Sequence, residues 1–316
     1  MQADAPDTDD GRRELDVRVG LGMFASETQL AHLISIARHV DVEPGRVLFE
    51  AAGAPSTVFQ LMSGEVAMDA PGLPSWRVKA GGTTGFVDFM LDRAHPRTAI
   101  AATPARMLEL DAADYRDYLE DNFEVSHRIM SWLSHQIVAD AAGRREASAL
   151  LGAASEQRTR PFSKVELPTV ERLMLMARMP EFGGASTQGI ANLAQRAVEA
   201  RFGPGEVIVA AGDTTTLVSI LVDGEVELLL PSGARVRRVG RGFLAHVEEL
   251  STSRRLNTVT ALSPLAVLQI EREELLDRLE EHFDLTMAMF ATVAREQDKL
   301  NDVAAVSGIG VSTDWK

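Results

Sequence analysis

One stretch of this chain returns 160 residues later, and that repeat limits what the sequence can fold into. PGRVLFEAAG from Pro44 answers PGEVIVAAG from Pro204, and GEV at Gly64–Val66 answers GEV at Gly224–Val226. MLELDAADYRDYLEDNF, ending at Phe123, answers VLQIEREELLDRLEEHF, ending at Phe283, with Leu108 and Leu268, and Leu119 and Leu279, at one offset. Upstream, GMFASETQLAHLISIA answers PEFGGASTQGIANLAQRA with small differences in length. A spacing this long exceeds a solenoid repeat and matches a whole domain, so the chain holds two copies of one domain. Its 316 residues are comfortable for two cores.

Each copy carries the same signals in the same order. A short amphipathic helix comes first, opened in copy one by Ser26 and Gln29 in capping-box spacing. Short apolar runs then alternate with Gly, Pro and Asp turns, as in VLFEAAG and VFQLMSGEVAM, which predicts short antiparallel strands in a roll or barrel. Each copy ends in helix: Val125, Ile129, Leu133 and Ile137 form a stripe spaced by four, matched by Leu285, Met289, Val293, Glu296 and Leu300. The expected fold class is therefore mainly β with flanking helices (α+β): two tandem antiparallel β-rolls of jelly-roll type, each with an N-terminal helix and C-terminal lid helices. The expected domains are a disordered segment at 1–20, copy one at 21–150, a polar linker at 151–167, copy two at 168–303 and a loose tail at 304–316.

Composition removes several function classes. With no cysteine there are no disulfides, thiolate metal sites or cysteine nucleophiles. The acidic start, MQADAPDTDDGRRELD, is not a secretory signal, and no apolar run reaches the ~20 residues of a membrane span. A net charge of -14 opposes broad binding to nucleic acid or anionic membrane, so a cytoplasmic location is expected. The seven histidines (His32, His39, His95, His127, His135, His246 and His282) are scattered, with no chelating pair of the kind a β-roll metalloenzyme needs. No P-loop, nucleophile elbow or dinucleotide fingerprint occurs, so no enzyme and no cofactor are expected. RREL at Arg12–Leu15 and RREAS at Arg144–Ser148 have the form of basophilic kinase sites, a pattern that chance also supplies.

The order helix, PG turn, glycine-punctuated hairpins, GEV strand, acid-and-arginine stretch and long helix resembles the cyclic nucleotide-binding domain family. The resemblance covers roughly residues 20–150 and 168–303. That family is a β-roll with a helical lid, and its ligand lies on a phosphate-binding cassette of the form Phe-Gly-Glu, apolar triplet, variable residues, Pro-Arg and two small residues. FVDFMLDRAHPRTA at 86–99 lies on this pattern without a gap. The resemblance implies Phe86 as the aromatic anchor, Val87 in place of the glycine, Asp88 as the ribose ligand and Arg97 as the phosphate ligand, with Thr98 and Ala99 as backbone donors. Val87 is β-branched where the family has glycine, and Asp88 is one methylene shorter than glutamate. In copy two the resemblance places Arg255 on the cassette arginine, followed by Leu256, with Leu244-Ala245-His246 where Phe-Gly-Glu stands. Glu248 would supply the acid only through a rearranged loop, and Arg255 is expected to pair with Glu248 or Glu249 or to stay solvated.

The implied ligand is cAMP or cGMP, bound in copy one beneath the closing helix at 124–142. Lacking an attached output module, the protein would signal through a partner protein, with the helices after each roll as the docking or homodimer surface. The competing expectation is a scaffold that keeps the fold and has lost the ligand.

Overall fold

The computed structural model describes residues 22, 24–143, 167–214, 216–251, and 254–306. The expected N-terminal segment, the linker apart from Leu167, the tail beyond 306 and both arginine-pair motifs lie outside the described residues. The chain divides into two compact units, one made of Met1–Ile129 with Asn301–Lys316 and the other of Met130–Leu300.

Helix α1 (Glu27–Ile36) opens the first unit, and the capping box expected at Ser26 and Gln29 is formed by both of its hydrogen bonds. Eight strands follow: β1 (Ala37–Val42), β2 (Val47–Phe49), β3 (Thr57–Ser63), β4 (Glu65–Asp69), β5 (Trp76–Lys79), β6 (Thr83–Thr84), β7 (Thr98–Ala101) and β8 (Ala105–Asp111). They make two antiparallel four-stranded sheets, ordered β1-β8-β3-β6 and β2-β7-β4-β5. Helix α2 (Phe86–Met90) lies between β6 and β7, and helices α3 (Ala112–Asp121) and α4 (Phe123–Gly143) follow β8. Alternate residues of the strands turn inward, so Phe59, Leu61, Val66, Met68, Val78, Ala99, Ala101 and Met107 form one buried cluster between the sheets.

In the second unit α5 (Thr169–Met176), a 3₁₀ turn (Pro180–Phe182) and α6 (Thr187–Arg196) precede the roll. Its strands are β9 (Val198–Phe202), β10 (Val207–Val209), β11 (Leu217–Asp223), β12 (Glu225–Leu229), β13 (Arg235–Val239), β14 (Gly242–Phe243), β15 (Thr258–Ala261) and β16 (Leu265–Glu271). The sheet orders β14-β11-β16-β9 and β10-β15-β12-β13 repeat those of the first unit. A 3₁₀ turn (His246–Leu250) stands where α2 stands, and α7 (Arg272–Glu281) and α8 (Phe283–Val306) close the series. The five residues of the expected stripe on α8, Glu296 included, are buried. The fold is thus two antiparallel β-rolls with flanking helices, as expected.

The offset of 160 holds through the strand pairing: Val66 faces Val78 and Ala105 faces Val42, while Val226 faces Arg238 and Leu265 faces Phe202. The repeated GEV has a steric cause. Gly64 and Gly224 take φ of +87° and +104°, and a Cβ on either would stand 2.4 or 2.6 Å from the carbonyl oxygen of Pro104 or Pro264. Only glycine reaches that conformation and that closeness without strain. The next residue is tied in the same way in both copies, Glu65 N–H donating to Thr103 Oγ1 at 2.9 Å and Glu225 N–H to Ser263 Oγ at 3.0 Å.

Candidate functional site

In copy one the cassette begins at Gly85, whose φ of +79° turns the chain into α2. A Cβ there would stand 2.6 Å from the Thr57 carbonyl oxygen, so this turn also requires glycine. Phe86 is buried as the expected anchor, and Val87 is half-buried within α2. Asp88 is buried, and each of its oxygens accepts a hydrogen bond from the chain itself. Arg93 Nε donates to Oδ1 at 2.9 Å, and His95 Nδ1 donates to Oδ2 at 2.9 Å. The His95 ring is stacked on Phe49 with centroids 3.8 Å apart, and its backbone is pinned by Ala52 N–H on its carbonyl and by Gly53 O on its N–H. Acid, imidazole and guanidinium therefore brace the loop that carries Pro96 and Arg97.

Arg97 is 4% exposed. Its Nη1 donates to the Pro74 carbonyl at 2.8 Å, and its guanidinium carbon lies 4.0 Å from the Trp76 ring centroid. Asp302, a residue of the same unit, places Oδ1 3.7 Å from Nη2 and is largely exposed; among the described residues that is the one ion pair of Arg97. A buried guanidinium held by one neutral carbonyl, an aromatic face and one long ion pair retains donors for an anion. Thr98 Oγ1 accepts from Ala51 N–H at 3.1 Å, and buried Ala99 sits in β7 opposite Phe49 and Met68.

Copy two is built differently at the same positions, and here the structure corrects the alignment made from the sequence. Three hydrogen bonds of copy one recur 160 residues on: Gly212 N–H to Arg255 O for Ala52 to His95, Arg255 N–H to Asp213 O for His95 to Gly53, and Ala211 N–H to Thr258 Oγ1 for Ala51 to Thr98. Arg255 therefore stands in the place of His95. The place of Arg97 is taken by Asn257, and Glu248 falls on Asp88 with no rearranged loop. The expected pairing of Arg255 with an acid is present. Its Nη2 lies 2.9 Å from Glu249 Oε2, with both side chains at 1% exposure or less, and Nη1 donates to the Glu248 carbonyl at 2.7 Å. Leu256, half-buried, donates its N–H to Glu248 Oε1, and Asn257 Nδ2 donates to Oε2 at 2.9 Å. Burial pushes the Glu248 carboxyl above its ordinary value, against the lowering effect of the Leu256 N–H, Arg255 and Asn257.

Sequence reasoning missed Trp76, Arg93 and His95 as partners of the cassette, and Asn257 and Arg238 in copy two. Arg238 is buried where copy one has Val78, and its Nε and Nη1 lack hydrogen-bond partners. Desolvation holds its guanidinium below the ordinary arginine value, partly offset by Glu181, Glu296 and Glu249. Unbroken counting at 160 would have found the Asn257 and Arg238 positions. Nothing in the local sequence marks Trp76.

Among the described residues no group of three His, Asp or Glu is placed to hold a metal ion, and no helix is long and apolar enough to cross a membrane.

A roll with a turn-and-arginine cassette between its sixth and seventh strands defines a class, and a family comparison assigns it. Residues 199–282 match the family described as the cyclic nucleotide-binding domain, so the second unit carries a domain of that family, as the resemblance implied. No curated protein matches the chain in sequence. Among solved structures, a regulatory subunit of a cAMP-independent protein kinase A from Trypanosoma brucei aligns at 15% identity over 97% of this chain and 95% of its own, with a TM-score of 0.35. The regulatory domain of Toxoplasma gondii PKA with cAMP aligns at 13% identity over 87% and 97%, with a TM-score of 0.32. The sensor domain of the transcriptional regulator DNR from Pseudomonas aeruginosa aligns at 20% identity over 39% and 91%, with a TM-score of 0.36.

Proposed function

We propose that this is a non-enzymatic, cytoplasmic regulatory protein whose first domain binds a cyclic nucleotide, cAMP or cGMP, by its phosphate at Arg97. One observation carries the reading: Arg97 is buried with one carbonyl, the Trp76 face and one long ion pair as its partners, whereas the buried arginine of cassette two, Arg255, is ion-paired with buried Glu249 at 2.9 Å and donates to the Glu248 and Leu217 carbonyls. A phosphate offers a guanidinium paired, charge-assisted hydrogen bonds that a single carbonyl does not. Thr98 and Ala99 border that position at the start of β7. Copy two, with Asn257 at the arginine position, serves as a companion domain that holds no phosphate. Ligand in copy one biases the helix that follows its roll by as much as it prefers the closed arrangement. The output then passes to a partner protein, or to a second copy of the chain, docked on the helices after the rolls.

Thermal-shift titration with cAMP and with cGMP tests this. At a hundredfold excess over Kd a ligand stabilises its site by about 2.7 kcal/mol, so wild type should rise in Tm with one of the two and Arg97→Ala should not. No shift at millimolar concentrations of either nucleotide would overturn the reading. It would favour the second one, a ligand-free scaffold, which the internal bonding of Asp88, Glu248 and Asn257 supports.

A further inference from the structure

We infer that the cassette carboxylate of this protein is a brace for its own loop, and that a cyclic nucleotide at Arg97 is therefore bound without its sugar 2′-hydroxyl being read. The inference rests on the ligand assignment made above for copy one. It goes further in naming the ligand class: 3′,5′-cyclic nucleotides irrespective of the substituent at the 2′-position.

Two independent copies of the cassette carry the observation. In copy one the carboxylate of Asp88 is 8% exposed as a side chain, with one oxygen on Arg93 Nε and the other on His95 Nδ1, each at 2.9 Å. In copy two the equivalent Glu248 gives one oxygen to Leu256 N–H and the other to Asn257 Nδ2, and is 1% exposed. The bonding partners differ in residue type, yet in each copy they come from positions five to nine residues later in the same loop. What the two copies share is the topology of the brace. A carboxylate used in this way holds the loop, and in copy one that loop delivers Arg97. His95 cannot release the acid cheaply, because its ring is stacked on Phe49 and its backbone is bonded on both sides. The shorter aspartate fits this arrangement: it reaches Arg93 and His95 while remaining below the surface.

A hydroxyl donating to an ionised carboxylate normally adds roughly 10- to 100-fold in affinity. For this protein that factor should be missing. Calorimetric titration of the full chain with cAMP and with 2′-deoxy-cAMP should give dissociation constants within about threefold of each other. A loss of tenfold or more for the deoxy ligand overturns the inference while leaving the ligand assignment intact. Binding of neither ligand overturns the ligand assignment, and the brace is then read from the ligand-free protein. Asp88→Asn and His95→Phe should each lower the Tm, and in Asp88→Asn the ring-nitrogen NMR signal of His95 should shift. An unchanged Tm together with an unmoved His95 signal overturns the brace.

Discussion

The two cassettes occupy the same turn of the same roll and handle charge in opposite ways. Cassette one keeps an arginine, Arg97, whose partners are a carbonyl, the face of Trp76 and a distant Asp302. Cassette two keeps an arginine two positions earlier, and the chain has ion-paired it with buried Glu249. A buried charge needs a partner, and a protein can supply that partner or leave the role to a ligand. At Arg255 the second cassette does the first. Copy one, on our reading, does the second.

The largest expected effect is on stability in copy two. Arg255→Leu strips the buried Glu249 of its cation and should cost roughly 3–5 kcal/mol, a fall in Tm of about 10 °C or more by thermal unfolding. If Tm holds, Arg255 is not the closed pair described. Next is Arg97→Ala, which should leave Tm of the ligand-free protein within a few degrees but weaken nucleotide binding at least ~100-fold, since charged hydrogen bonds are worth about 1.5–3 kcal/mol each. The reverse pattern, lost stability with binding kept, would break the comparison.

Glu248 gives a pH test. Its folded-state pKa is raised from the usual 4.5, chiefly by burial. Stability from this group is therefore full below pH 4.5 and is lost as pH rises through the higher folded value. Glu248→Gln, which does not ionise, should look relatively more stable as pH rises from about 4 to 7, and denaturant midpoints measured across that range should converge or cross in that direction.

The smallest effect comes from Trp76→Val, which gives copy one the residue of copy two at that position, Val236. Losing one cation–π contact of about 0.5–1 kcal/mol should change nucleotide affinity by no more than about fivefold. A much larger loss would make Trp76 a ligand contact in its own right.

Much of the fold was legible because the repeat prints each local signal twice. GEV, with glycine forced against Pro104 or Pro264, and the serine caps at Ser26 and Ser186 mark the same turns in both copies. The cassette of copy one was legible as a motif, but the fate of its acid was not. Whether Asp88 faces a ligand or its own loop is decided by where His95 and Arg93 return in space. No spacing rule encodes the Phe49 stack that fixes His95. In copy two the misreading came from aligning arginine to arginine by residue type. The backbone hydrogen bonds obey position, and position puts Asn257 where Arg97 stands.

The central claim is that the chain has one open cassette and one closed by its own side chains. Calorimetric stoichiometry tests this most directly. Titration of the wild-type chain with the nucleotide that raises its Tm should give one site per chain, and Arg97→Ala should remove it. Two sites per chain, or one site that survives Arg97→Ala and vanishes with Arg255→Leu, would contradict the account.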